Sequence, residues 1–165
     1  MSIISRLKKP VHHAHYQGYP EKTKEPPAEL DHQDQKPACR RTCIDYGPDG
    51  IVEQTITDVG EFFSTPRPDC SHVRWIRVIG TPDAEFLHAL GERYHFHPLA
   101  LDDLIQIPQR PKVDTYTEDK KHSYLAVIAS APSMHEGRVR SQQLSIFASK
   151  KLVVSFQEYE EATVD

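Results

Sequence analysis

Apolar residues first alternate regularly near Cys39, where the pattern predicts a β-hairpin. The turn is formed by Gly47-Pro48-Asp49-Gly50, a run of turn-forming residue types. Apolar side chains precede and follow it at Ile44, Tyr46, Ile51, Val52 and Ile56. Residues 58–69 then contain two adjacent phenylalanines followed by two prolines, which predicts a short strand or turn and then a loop.

A strand and a helix are predicted next. Residues 73–79 carry apolar side chains on both faces, which indicates a strand covered on at least one side and ended by Gly80. Thr81 has the side chain of an N-cap, and Pro82 suits the first helical position. The apolar face of this helix is predicted to be Phe86, Leu87, Leu90 and Tyr94.

A second, shorter helix is predicted to begin at Pro98 and to end before Pro108. Its packed stripe is predicted to be Leu101, Leu104 and Ile105. Ala100 and Asp103 project elsewhere in this register, so at least one of the adjacent acids Asp102 and Asp103 is expected to face solvent or a partner.

Strands dominate the rest of the chain. They are predicted at residues 112–116, 122–129, 142–148 and 152–157, with a loop at 132–137. Residues 122–129 are apolar on both faces, which favours a central place in a covered sheet. The short turn at residues 149–151 makes the last two strands antiparallel neighbours.

Together these elements predict an α/β fold for residues 39–165: a mixed β-sheet of about six to seven strands with flanking helices. Two short helices do not cover both faces of such a sheet. Either one face is exposed, or further helices lie beyond Asp165.

Residues 1–38 are predicted to be a disordered N-terminal arm, because they are rich in proline and charge and have almost no periodic apolar residues. Within this arm His12, His13 and His15 are either loose transition-metal ligands or incidental histidines of a solvated tail.

Composition excludes several classes of function. A net charge of -4 makes nucleic acid an improbable ligand. The three cysteines have no disulfide-framework spacing, and Cys39 and Cys43 are either half of a zinc site or free thiols in a reducing, cytoplasmic setting. No apolar run reaches the roughly 20 residues of a membrane-spanning helix, so this stretch is expected to be soluble.

No motif of an enzyme is apparent: the sequence has no nucleophile elbow, Gly-rich phosphate loop or zinc-protease signature. Chemistry-bearing side chains cluster at His95, His97, Asp102 and Asp103. These could bind a divalent ion. Alternatively the histidines pack at a helix junction and the acids stabilise the N-terminal end of a short helix dipole.

At these residues the sequence resembles the N-terminal cytoplasmic domain of the CorA-type magnesium (divalent cation) transporter family. The resemblance covers roughly residues 44–158. It rests on His97-Pro98-Leu99-Ala100-Leu101-Asp102-Asp103-Leu104, on Gln109-Arg110-Pro111-Lys112-Val113, on Ser141-Gln142-Gln143-Leu144-Ser145, and on Ser155-Phe156-Gln157-Glu158.

The resemblance implies a sheet sandwiched by helices, and a homopentamer in which a stalk helix leads from this domain to two membrane spans. The stalk, the spans and the family's Gly-Met-Asn signature are not in residues 39–165, so this stretch is expected to be the front part of the domain. It further implies a regulatory Mg2+ site between subunits, with Asp103 matching one acid and Asp102 standing beside it as helper. The second acid of that site lies beyond Asp165, so weak Mg2+ binding is expected here.

The function implied is therefore that of a non-enzymatic, metal-sensing cytoplasmic domain that gates a Mg2+/Co2+ transporter of the inner cell membrane, with its own membrane domain and neighbouring subunits as partners. The alternatives are a zinc-transporting relative and a free-standing sensing or interaction module of the same fold, monomeric or weakly dimeric. A small metal-dependent enzyme using His95, His97 and Asp103 is a third possibility.

Overall fold

The computed structural model describes residues 39–117, 123–135 and 138–160. The predicted arm at residues 1–38, with its three histidines, lies outside the described residues. The described elements are β1 (Arg40–Gly47), β2 (Gly50–Thr55), α1 (Val59–Ser64), β3 (Val73–Ile79), α2 (Ala84–Tyr94), α3 (Pro98–Ile105), β4 (Lys112–Thr117), β5 (Ser123–His135), β6 (Arg138–Ser149) and β7 (Leu152–Gln157).

The strands form one sheet in the order β2-β1-β3-β7-β6-β5-β4. The β3–β7 pair is parallel, and the other neighbouring pairs are antiparallel. Between β3 and β7 the chain forms both α2 and α3 and then the meander β4-β5-β6, which returns from the far edge. The predicted mixed sheet of about seven strands with flanking helices is confirmed.

One face of the sheet supplies the core. The side chains of Cys43, Ile76, Val154, Phe147 and Ala126 are register neighbours across five adjacent strands, and all are buried. The helices pack on them through Val59 and Phe62 of α1, Phe86, Leu87 and Leu90 of α2, and Ala100 and Leu104 of α3. Helix burial against this single face is therefore the main source of hydrophobic stabilisation.

The opposite face carries a second apolar row. Leu125, Ala148, Val153, Trp75 and Ile44 are register neighbours across five strands, and each keeps part of its surface accessible. No helix of the described residues packs on this row. Within the described residues this face of the sheet is partly exposed, and the alternative, further helices beyond Asp165, stays a prediction.

The predicted hairpin is confirmed, since Gly47 pairs with Gly50 at the β1–β2 turn. The prediction for residues 58–69 was wrong, because Val59–Ser64 forms a helix. The carboxylate of Asp58 accepts a hydrogen bond from the backbone N–H of Glu61 at 2.7 Å and caps this helix. The N-cap Asp58 stabilised a helix, although the adjacent Phe62 and Phe63 favour a strand.

Helix α2 begins two residues later than predicted. Its N-cap is Asp83, whose carboxylate accepts a hydrogen bond from the backbone N–H of Phe86 at 2.8 Å, and Thr81 precedes the helix. The same carboxylate accepts a hydrogen bond from Arg41 of β1 at 2.8 Å, which ties the helix start to the sheet. That tertiary contact selects Asp83 over Thr81.

The buried stripe of α3 also differs from the prediction. Ala100 is 2% exposed and Leu104 is buried, whereas Ile105 is 52% exposed and Leu101 is half-buried. Helix α3 therefore turns Ala100, its small residue, toward the sheet. Since alanine allows the backbone to approach closely, α3 lies tight against the core through Ala100 and Leu104, while Leu99 and Ile105 face outward.

The strand predicted at residues 122–129 exists as part of β5, but the prediction that it is central in the sheet was wrong. Strand β5 lies next to the β4 edge, and it continues to His135 through most of the predicted loop. Its two faces differ, because Tyr124, Ala126 and Ile128 are buried while Leu125 is 38% exposed. The apolar residues on its outer face therefore belong to the uncovered row.

A buried ion pair joins β1 to β3 on the core face. Arg74 donates to both carboxylate oxygens of Asp45, at 2.9 and 2.7 Å, and Ser71 donates to Asp45 at 2.5 Å. Burial by itself would raise the pKa of Asp45, but the hydrogen bonds from Arg74 and Ser71 outweigh it and hold the pKa below its ordinary value. The guanidinium of Arg74 also lies over the Phe62 ring of α1, 5.0 Å from its centroid. One polar cluster thus connects the sheet to a helix.

We predict that Asp45→Ala lowers the free energy of unfolding by about 3–5 kcal/mol, because the buried guanidinium of Arg74 is left without its counter-ion. Urea unfolding measures the loss. Because the pKa of Asp45 is lowered in the folded state, this stability is present above the ordinary carboxyl pKa and is lost as pH falls below it.

The matched control is Asp114→Ala, which removes a carboxylate that is 46% exposed and 3.7 Å from a lysine, and it should cost less than about 1 kcal/mol. The double variant Asp45→Leu/Arg74→Met should recover most of the loss. Equal costs for Asp45→Ala and Asp114→Ala would contradict the structural role of the buried pair.

Candidate metal-binding site

Helix α3 is positioned by the residues that precede it. The Nδ1 atom of His97 accepts a hydrogen bond from the backbone N–H of Leu99 at 3.2 Å and caps the helix, and Pro98 occupies its first turn. The backbone N–H of His97 donates to the Tyr124 hydroxyl at 2.8 Å, and its ring stacks on Tyr116 with centroids 5.7 Å apart. His97 is therefore a structural residue that fastens α3 to β4 and β5.

The C-terminal half of α3 is fastened by Gln143 of β6. The side-chain amide of Gln143 donates to the backbone carbonyl of Asp103 at 3.3 Å and to Ser145 at 3.1 Å. Its carbonyl oxygen accepts from the backbone N–H of Gln109 at 2.8 Å, just after the helix. Because Gln143 is itself buried, these bonds fix the position of the helix that carries the two acids.

The outward side of α3 presents Asp102 between two exposed apolar residues. Leu99 is 64% exposed and Ile105 is 52% exposed, and the three residues follow one another at i, i+3 and i+6. No side chain of the described residues forms an ion pair or hydrogen bond with the Asp102 carboxylate. We name this outward side, formed by Leu99, Asp102 and Ile105, the α3 face.

Asp103 lies beside the α3 face and already has a cation. The Lys112 ammonium is 2.5 Å from the Asp103 carboxylate and 3.7 Å from that of Asp114. The hydrogen bond with Asp103 raises the pKa of Lys112, so the ammonium stays protonated well into the alkaline range. A metal ion that binds Asp103 must therefore displace Lys112 or share the carboxylate with it.

The four predicted ligands do not form a common site. His97 is a helix cap, Asp103 faces Lys112, Asp102 faces outward, and His95 lines a separate pocket. Within residues 39–117, 123–135 and 138–160, no three His, Cys, Asp or Glu side chains converge as metal ligands. Sequence reasoning assigned Lys112 only to the start of its strand and missed the ion pair. The two prolines after α3, which turn the chain back beside the helix, were the available signal.

The cysteines are free thiols in this fold. Cys43 is completely buried, and burial raises its pKa to about 12. Its protonated thiol lies 3.5 Å from the Asp45 carboxylate and donates to it. Since zinc binds thiolates, this environment disfavours the zinc half-site considered for Cys39 and Cys43.

Comparison with known proteins identifies the family. A sequence profile described as "CorA-like Mg2+ transporter protein" matches residues 71–165, more than half of the chain and including α3 with both acids. The chain belongs to this CorA-like family. The cobalt/magnesium transport protein CorA of Thermotoga maritima is 30% identical over 114 residues, which are 66% of this chain and 32% of that protein. This CorA-like chain thus spans about a third of the length of that relative.

A solved structure of a cytoplasmic domain shares the fold. The cytoplasmic domain of ZntB from Vibrio parahaemolyticus matches 74% of this chain and 45% of its own, with a TM-score of 0.53 and 14% sequence identity. The complete CorA magnesium transporter of Methanocaldococcus jannaschii matches 73% of this chain and 32% of its own, with a TM-score of 0.48 and 17% identity. In the part of the CorA-like chain that the structure describes, no helix is long and apolar enough to cross a membrane.

We predict that Lys112→Met creates a weak divalent-cation site, because Asp103 and Asp114 lose the ammonium they share and are left as neighbouring carboxylates. At a Mg2+ concentration equal to the dissociation constant, the melting temperature of the variant should rise by about 2 °C. Thermal unfolding with and without MgCl2 at constant ionic strength measures this.

The charge-matched control is Lys150→Met, which removes an exposed lysine at the β6–β7 turn. MgCl2 should change the melting temperature of this variant by the same amount as that of the unchanged chain. A Mg2+ response of Lys112→Met no larger than that of Lys150→Met would show that the two carboxylates do not form a cation site.

Proposed function

We propose that this chain is the cytoplasmic regulatory domain of a CorA-type Mg2+/Co2+ transporter, and that it gates transport by binding Mg2+ between subunits. The observation that carries the proposal is the α3 face on its firmly fixed helix. There the Asp102 carboxylate, which has no partner among the described residues, lies between the exposed side chains of Leu99 and Ile105. Membership of the CorA-like family and the cobalt/magnesium relative support the cation as cargo and regulator.

The α3 face has the composition of a conditional interface. Leu99 and Ile105 favour contact with another surface, since both expose most of an aliphatic side chain. Asp102 opposes that contact, because burying an unpaired carboxylate is costly. A hydrated Mg2+ ion between this carboxylate and an acid of the neighbouring subunit removes the penalty. Interface formation then depends on the Mg2+ concentration of the cytoplasm.

Asp103 completes this half of the proposed site, with Asp102 as its more accessible helper. While no Mg2+ is bound, the Lys112 ammonium is the cation at Asp103. Its positive charge limits the repulsion between Asp102 and Asp103. Mg2+ must compete with this internal cation, so the site responds to high rather than trace concentrations. High Mg2+ favours the closed pore because it binds the closed arrangement of subunits better than the open one.

The proposed partners are neighbouring subunits of a homopentamer and the membrane domain of the same protein at the inner face of the cell membrane. No catalytic role is proposed, because the relatives are transporters. The fold does not select the cargo, since selectivity belongs to a pore outside these residues. A zinc-transporting relative and a free-standing sensing module of the same fold are the alternatives.

The decisive experiment extends the chain along its native reading frame. We expect a stalk helix, two membrane spans and a Gly-Met-Asn signature, and we expect the extended protein to transport Mg2+ in proteoliposomes. Asp102→Asn/Asp103→Asn should raise, by about tenfold, the Mg2+ concentration that closes the pore from the cytoplasmic side, because two carboxylates of each subunit no longer bind the ion.

Glu53→Gln, an exposed carboxylate on edge strand β2, is the matched control and should leave gating unchanged. A reading frame without membrane spans would exclude the transporter and favour the free-standing module. Uptake of Zn2+ with no uptake of Mg2+ would favour the zinc relative.

The chain alone should bind Mg2+ with a dissociation constant on the order of millimolar or weaker, because half of the site is supplied by a neighbour. Chemical shifts of residues 99–105 in an NMR titration should report binding, and Asp102→Asn/Asp103→Asn should abolish the response. Tight 1:1 binding of Zn2+ that requires His95 and His97 would instead favour the metal-dependent enzyme.

A further inference from the structure

A second site lies at the C-terminal end of α2. There a pocket of ≈ 300 Å³ is formed between the end of α2, the start of β5 and the β6–β7 turn. Its lining includes the polar residues Arg67, Arg93, Lys151, His95, Ser123 and Ser149, together with Tyr94 and Tyr124. It shares no lining residue with the α3 face or with Asp103 and Lys112, so it stands independently of the proposed function.

The pocket is electropositive in an acidic chain. Three cationic side chains, those of Arg67, Arg93 and Lys151, line it, and no carboxylate does so among the described residues, although the whole chain has a net charge of -4. Arg93 in the last turn of α2 also stabilises the helix dipole. That effect does not account for Arg67 or Lys151, which lie outside the helix and approach the pocket from other segments.

Part of this lining is held in place. The Arg67 guanidinium donates to the backbone carbonyl of Lys151 at 3.4 Å, which holds it at the β6–β7 turn. The like charges of Arg67, Arg93 and Lys151 repel one another, and a bound anion would offset that repulsion. Ser123 and Ser149 add hydroxyl donors from two further strands.

His95 enters the pocket lining from the end of α2. It caps α2 in the left-handed conformation, with φ 57° and ψ 43°, and its backbone N–H donates to the carbonyl of Gly91. Glycine is the least costly residue at this position, and histidine is one of the few others that adopt it. At two other positive-φ positions the chain uses glycine, Gly50 and Gly80. From this position His95 lines the pocket.

We infer that this pocket binds a small phosphate-bearing anion, either inorganic phosphate or a soluble phosphate ester. Guanidinium groups match phosphate oxygens with paired hydrogen bonds, and an ammonium adds charge without fixed geometry. Hydroxyls complete the donor set, while Phe96 and Leu152 supply an apolar wall. A pocket of this size is large enough for a phosphate with a small organic group.

The test is calorimetric titration of the full chain with inorganic phosphate and with pyrophosphate, against chloride and sulfate at constant ionic strength. Arg67→Gln and Arg93→Gln should each weaken phosphate binding by at least about tenfold, the effect of one charge-assisted hydrogen bond. Lys151→Gln should weaken it as well. Lys150→Gln, at the neighbouring exposed lysine that does not line the pocket, should change it less than about twofold.

His95→Gly separates a binding role from a structural one. Glycine suits the left-handed cap, so the variant should melt at a higher temperature and yet bind phosphate more weakly. A variant that melts higher and binds phosphate unchanged would remove His95 from the site. Equal binding of phosphate and chloride, or equal losses for Lys150→Gln and Lys151→Gln, would overturn the proposal and leave only diffuse surface charge.

A final experiment distinguishes a soluble phosphate from the phosphate of a lipid headgroup. Vesicles of phosphatidylcholine with and without phosphatidic acid are sedimented with the chain. A soluble phosphate site predicts calorimetric binding and no cosedimentation. Cosedimentation with the acidic vesicles, without binding of soluble phosphate, would overturn the small-molecule proposal in favour of a membrane surface.

Discussion

The burial of Phe96 fixes the geometry on which both candidate sites depend. This residue joins α2 to α3, is 5% exposed, and packs on Phe147 and Tyr124 with ring centroids 4.8 and 4.9 Å apart. Burying such a ring contributes about 1.5–3 kcal/mol, and aromatic contacts add to it. With Phe96 in the core, its neighbours diverge: His95 lies in the basic pocket and His97 caps the helix that carries the acids.

Three aspartates show how environment determines the role of one residue type. Asp45 is buried among Arg74, Ser71 and Cys43, and its carboxylate holds two strands together. Asp103 is partly exposed and shares a lysine with Asp114, which leaves its partner exchangeable. Asp102 is exposed between aliphatic side chains. Of these three aspartates, only Asp103 and Asp102 are accessible to a ligand that binds reversibly.

The one-sided core connects these local features to the architecture. Because the helices of the described residues cover a single face of the sheet, α3 can lie close to the core while its outer side remains open for contact. The same arrangement leaves the row containing Trp75 and Val153 partly accessible on the other face. Rigid fixation by Gln143 and His97 keeps the α3 face in one orientation, which a shared intersubunit site requires.

Local patterns in the sequence determined most of the secondary structure. Alternation and turn residues located the β1–β2 hairpin, β3, β4 and the β6–β7 pair, because strand periodicity and turn chemistry act over a few residues. The prolines before and after α3 likewise defined that helix. The resemblance to the CorA family is confirmed as a family assignment, while the metal-binding role that it implies for the adjacent acids stays a prediction.

Tertiary contacts decided the rest. Arg41 selected Asp83 as the cap of α2, close packing turned Ala100 rather than Ile105 inward, and the sheet order placed β5 near an edge. The Lys112–Asp103 pair and the convergence of Arg67, Arg93 and Lys151 join residues that are far apart in the chain or separated by turns. Sequence periodicity cannot specify such contacts, because they depend on how whole elements are positioned in space.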